Sequence, residues 1–142
     1  MTEEMEASLK PYIDAVLGRK AIHVAVLDVR GLTSIADAFI ICSGRSNRQV
    51  SAIAEHVERE LRKQKIKPLS VEGAKEGQWA LLDYGSVIIH VFFESVREFY
   101  DLEGLWTDAR RLKLPGSKRS KSGLAPPAHP RIAIQRRAQA HR

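Results

Sequence analysis

With 142 residues, 44% of them hydrophobic, the chain is long enough for one domain with a real core. Its single cysteine excludes an internal disulfide framework, its uncharged runs are too short to cross a bilayer, and its acidic opening MTEEMEA resembles neither a secretory leader nor an organelle transit peptide. The net charge of +6 is unevenly placed: residues 1–109 hold 13 Lys+Arg against all 17 Asp+Glu, a net of −4, while residues 110–142 hold the other 10 basic residues and no acid.

Leu9, Tyr12, Ile13, Val16 and Leu17 fall at helical spacing, and Gly18 predicts a stop. Residues 22–29 (IHVAVLDV) are almost continuously apolar and β-branched, as expected of a strand covered on both faces. Residues 38–42 (AFIIC) predict a second buried strand. Ser46 and Gln49 then form a capping-box pair, and Val50, Ile53, Ala54, Val57 and Leu61 make one apolar stripe of a helix ended by Pro68.

A short strand is expected near residues 69–71. The stretch GQWALLDYGSVIIHVFF (77–93) reads as a hairpin, its Gly85-Ser86 turn needing positive φ at the first central position. On alternation, Trp79, Leu81 and Asp83 share one face of the first hairpin strand; Ala80, Leu82 and Tyr84 share the other. Ser95 and Glu98 suggest a second capping box opening a helix through Trp106, with Val96, Phe99, Leu102 and Trp106 on its apolar side and Tyr100 at the border. From about Leu112 the pattern fails: Pro115-Gly116, Pro126-Pro127 and Pro130 break any helix among Lys, Arg and Ser, the composition of a disordered basic tail. The expected fold is α/β, one domain over residues 1–109 with a mixed sheet flanked by helices, and a tail over 110–142.

Chemistry is sparse. His23, His56, His90, His129 and His141 show no metal-ligand spacing with one another or with Cys42. Cys42 sits at a buried strand end and reads as a small core residue. Gly44-Arg45-Ser46 joins a strand to a helix, where backbone N–H groups can hold an anion, yet a turn plus an N-cap explains both Gly44 and Ser46. A nucleotidyl transferase would add two closely spaced carboxylates for magnesium, and Asp28, Asp37 and Asp83 are scattered singly. No cofactor and no catalysis are expected, with a degenerate nucleotide-binding protein as the alternative reading.

LDVRGLTSIADAFIICSGRSNRQVSAIAEHVE (27–58), KPLSVEG (67–73), GQWALLDYGSVIIHVF (77–92) and REFYDLEGLW (97–106) together resemble the ribosomal silencing factor family, RsfS, also called Iojap-like. The resemblance spans nearly all of residues 9–109. It implies a nucleotidyltransferase-like mixed α/β fold without the catalytic carboxylates, in a cytoplasmic repressor of translation. Such proteins bind the large-subunit ribosomal protein L-fourteen and block subunit joining when nutrients are scarce, and some members are described as dimers off the ribosome. The family's contact residues map onto Trp79 and Tyr100. Asp83 and Glu103, with Glu98 and Asp101, lie near these anchors in the sequence and offer charge to a basic partner. The tail departs from the family pattern; its Arg110, Arg111, Lys113, Lys118, Arg119 and Lys121 are candidates for rRNA phosphates, with a merely solvating tail as the alternative.

Overall fold

The β-branched runs and amphipathic stripes assemble into one six-stranded sheet. A computed structural model describes residues 3–112. In chain order the elements are α1 (Glu3–Leu17), β1 (Ile22–Asp28), β2 (Ala38–Gly44), α2 (Asn47–Lys63), β3 (Ser70–Glu72), β4 (Trp79–Asp83), β5 (Val87–Phe93), α3 (Glu94–Tyr100), α4 (Leu102–Leu105) and β6 (Arg110–Leu112). The strand order is β3-β4-β5-β2-β1-β6. Among the described residues only the central pair β2–β5 is parallel, and α2 lies within the connection that this pairing requires.

Both faces of the sheet are buried, which explains the unbroken apolar runs. On one face Val24, Val26, Ile40, Cys42, Ala80, Leu82, Ile89 and Val91 pack under α1 and α2. The whole predicted stripe of α2 is buried there, each full-sized side chain contributing about 1.5–3 kcal/mol. The other face carries Leu27, Phe39, Ile41, Trp79, Leu81, Ile88 and Phe92, and it is covered by the short α3–α4 segment with Leu102 and Trp106 and by the β1–β2 connection with Val29, Leu32, Ile35 and Ala36.

The first capping box forms: the Gln49 N–H donates to Ser46 Oγ at 3.0 Å, although Gln49 Oε1 accepts from Arg45 N, one residue further back than the cap itself. The hairpin turn also forms as read. Gly85 has φ +86°, and Asp83 pairs with Ile88, leaving Gly85 and Ser86 as the loop.

The second capping box does not form. α3 begins at Glu94, which puts Ser95 inside the helix and leaves the cap position to Phe93, whose side chain has no acceptor; the Glu94 carboxylate meets His23 and Ser43. Nor is the helix continuous to Trp106. Asp101 takes a left-handed conformation (φ +42°) that ends α3 and restarts the chain as α4. Leu102 and Trp106, beyond that break, are buried as expected, but within α3 Phe99 is 45% exposed and Arg97 is buried in its stead. The sheet also runs past the expected domain end at residue 109, since Arg110–Leu112 pair antiparallel with β1. The predicted tail from residue 113 onward lies outside the described residues.

Candidate partner-binding site

Trp79 opens β4 and stands opposite Phe92 of β5, so alternation aims both rings at the face covered by α3. The Trp79 and Phe92 rings stack with centroids 4.6 Å apart, and the Tyr100 ring leans over Trp79 at 5.7 Å. Phe99 meets Tyr100 edge-on at 5.4 Å. A line of rings thus climbs from the sheet to the surface, each in the offset or edge geometry that aromatic quadrupoles favour.

The expectation that Trp79 offers its own face to a partner is therefore corrected. Only 3% of it is exposed, because α3 crosses directly above it. Its indole Nε1 donates to His90 Nδ1 at 3.1 Å, which leaves the proton of the neutral imidazole on Nε2. Burial pushes the His90 pKa down to about 3, so the ring is an acceptor for Trp79 and carries no charge at neutral pH. Tyr100 is half-buried, and Phe99, which helical spacing assigned to the apolar side, is the exposed ring of the group.

Beneath the same helix runs a polar chain that no spacing in the sequence announces. His23 sits in a β1 bulge at φ +51°, its Nδ1 against Glu94 Oε2. Ser43 Oγ donates to Glu94 Oε1 at 2.8 Å. Arg97 Nη1 donates to Ser43 Oγ at 2.9 Å and to the His23 carbonyl at 2.6 Å. Its Nε donates to Glu103 Oε1 at 3.0 Å, and Arg111 Nη2 donates to Glu103 Oε2 at 2.7 Å. Four strands and helices are thereby tied to α3 through one buried guanidinium, and both Glu103 oxygens are engaged.

The other expected site residues separate accordingly. Glu103 is a buried partner of Arg97 and Arg111, which corrects its reading as a charge offered to a partner. Asp83 shares the face of Trp79 but stands at the far end of β4, about 13 Å along the strand, where Oδ1 accepts the Gly85 N–H. Arg110 and Arg111 are exposed on β6; Lys113, Lys118, Arg119 and Lys121 lie outside the described residues. Ser46 is the N-cap of α2, as the turn-plus-cap reading has it. Burial pushes the Cys42 thiol up to about 12, the condition of an unreactive core residue. Among the described residues, no three His, Cys, Asp or Glu side chains converge to hold a metal ion.

A family model described as "Ribosomal silencing factor during starvation" matches residues 2–139. The chain belongs to the ribosomal silencing factor family. It is 40% identical over 104 residues to the ribosomal silencing factor RsfS of Halalkalibacterium halodurans, covering 73% of this chain and 89% of that one. A more distant relative is a mouse protein named for mitochondrial assembly of the ribosomal large subunit, 31% identical over 90 residues, covering 61% of this chain and 40% of its own. Among solved structures, a crystal structure from Chromobacterium violaceum superposes with a TM-score of 0.71 at 35% identity, covering 87% of this chain and 96% of that one. The shared fold is the mixed α/β sheet described above, and the family role is regulation of translation at the ribosome. The family match extends well past residue 110, further than the signature motifs alone reach.

Proposed function

We propose that this protein represses translation without chemistry, by docking on ribosomal protein L-fourteen of the large subunit and excluding the small subunit by volume. The observation that carries this reading is the pair of rings at the end of α3. Phe99 and Tyr100 present apolar surface to solvent over a rigid floor of Trp79 and Phe92. Aromatic side chains anchored this way lose little entropy on binding and are common interface hot spots. Trp79 serves from beneath, fixing the height and tilt of Tyr100.

Glu98 and Asp101 flank the rings and supply the acidic rim for a basic partner, a role that speeds and orients encounter more than it adds affinity. An interface of ordinary size, on the order of 1,600 Å² in total, is enough for specific occlusion. A protein acting this way in the cytoplasm needs no cofactor. The basic residues beyond β6 add sequence-blind contacts to rRNA phosphates, so deleting residues 113–142 flattens the salt dependence of large-subunit binding.

The test is a subunit-joining assay with purified ribosomal subunits. Phe99→Ala and Tyr100→Ala should each relieve the block; Phe99→Ala should leave the thermal unfolding midpoint of the free protein almost unchanged, and Tyr100→Ala, which uncovers Trp79, should lower it by several degrees without unfolding the protein. If the double variant blocks joining as well as the parent, the α3 rings are not the docking surface.

A further inference from the structure

A second surface lies at the same end of the sheet, on the opposite face. β2 and β5 run parallel and finish together at Gly44 and Phe93. α3 leaves this end over one face and α2 over the other, and the α1–β1 loop arrives there too. The two connections on the α2 side bring together Arg19 and Lys20 from residues 18–21 with Arg45 from residues 45–46, next to Arg48 in the first turn of α2. All four side chains are exposed. Arg19, Lys20 and Arg48 line a cleft of about 470 Å³ with Gly18, Ser46 and Gln49.

Gln49 holds the two connections in register. Its Oε1 accepts the Arg45 N–H at 2.7 Å, and its Nε2 donates to the Lys20 carbonyl at 3.3 Å. Among the described residues, no carboxylate lies within ion-pairing distance of any of the four cations. Of the acids nearest in the chain, Asp14 pairs with Lys10 and Asp28 with Arg30, while Asp37 and Glu55 form no ion pair with any of the four. Four uncompensated cations are thus gathered on a domain whose residues 1–109 carry a net charge of −4. Their mutual repulsion is relieved by a bound polyanion.

We propose that Arg19, Lys20, Arg45 and Arg48 form a binding surface for the phosphate backbone of RNA. Guanidinium forks match phosphate oxygens, and the patch has no aromatic side chain on which a base could stack, so it would read backbone and not sequence. Leu17 is the large exposed hydrophobe beside it, too little apolar surface for insertion into a lipid bilayer. This inference goes beyond docking on a ribosomal protein and does not depend on the α3 rings. It does place an RNA contact and that docking surface on one rim of the sheet, where a single ribosomal neighbourhood reaches both.

The experiment is fluorescence anisotropy with the full chain and a labelled single-stranded RNA of about 20 nucleotides, across a salt series. The patch variant combines Arg19→Gln, Lys20→Gln, Arg45→Gln and Arg48→Gln. A control of equal charge loss combines Lys63→Gln, Lys65→Gln, Lys67→Gln and Lys75→Gln, all exposed elsewhere. Circular dichroism and thermal melting verify that both variants fold. Four phosphate contacts contribute about −2.8 to the slope of log affinity against log salt, so from 50 to 200 mM the parent should lose about 50-fold more affinity than the patch variant. The control should keep nearly the parental slope. Equal losses in both variants, or an unchanged slope in the patch variant, would overturn the proposal. Since no ribosomal protein is present, the result stands whether or not Phe99 and Tyr100 prove to be anchors.

Discussion

Lowering the pH should destabilise this fold through one ring, and the amount follows from where His90 sits. The unfolded imidazole takes up a proton near its ordinary value of 6.5, whereas the native ring, fully buried between Phe39, Trp79 and Phe92, does not do so until about pH 3. Between these values the unfolded state binds more protons than the native one, so stability falls as pH falls. Protonation in place would also break the Trp79-to-His90 hydrogen bond and leave a buried cation.

From pH 7 to pH 5 the unfolded ring goes from mostly neutral to almost fully charged, a loss of about 2 kcal/mol from this residue alone. Other groups titrate in the same window, so the measurement is a comparison. Urea unfolding of the parent and of His90→Phe at both pH values gives four free energies. The variant carries a constant cost from the orphaned indole N–H, which cancels in the pH difference. The parent should lose about 2 kcal/mol more than the variant between pH 7 and pH 5. Equal losses would mean that the native ring protonates readily, and that the burial argument for the Trp79–His90 pair is wrong.

Three further outcomes test other parts of the structure. Arg97→Met takes a buried charge partner from Glu103 and should cost about 3–5 kcal/mol in urea unfolding, whereas an exposed pair such as Lys63–Glu60 should cost under about 1 kcal/mol when broken. Gly77→Ala places a Cβ 2.3 Å from the Asn47 carbonyl oxygen at φ +73°, and should lower the thermal midpoint by several degrees as the loop is pushed off the start of α2. Cys42 should resist a thiol reagent in the native protein and react promptly in denaturant, as monitored by absorbance; fast native labelling would contradict its burial.

The sheet was legible because its two faces obey simple alternation. Trp79 and Leu81 go to one core and Ala80 and Leu82 to the other, and the parallel pair follows from a helix lying between two buried runs. The capping of α2 was legible because its partners lie three residues apart. Arg97 was not, because a charged residue on a short helix reads as solvated until its partners are known. Glu103 is six residues away and Ser43 fifty-four, and only the folded sheet brings them together. The capping box misread at Ser95 has a related origin: the helix starts one residue before that serine, at Glu94, whose carboxylate meets His23 from 71 residues earlier. Exposure was the least legible property of the site. Whether Trp79 or Phe99 faces solvent depends on where α3 starts and how it lies on the sheet, and where it ends depends on the left-handed turn at Asp101, which an aspartate followed by leucine does not announce.

The strands at the two margins of the sheet, β3 and β6, are each three residues long among the described residues. A row of backbone donors and acceptors so short is a poor template for a foreign strand, and Glu72 on one margin with Arg110 and Arg111 on the other adds charge to the barrier. Copies of this chain crowded together therefore have little tendency to zip into a continuous ribbon. Any association between them has to be written in side chains.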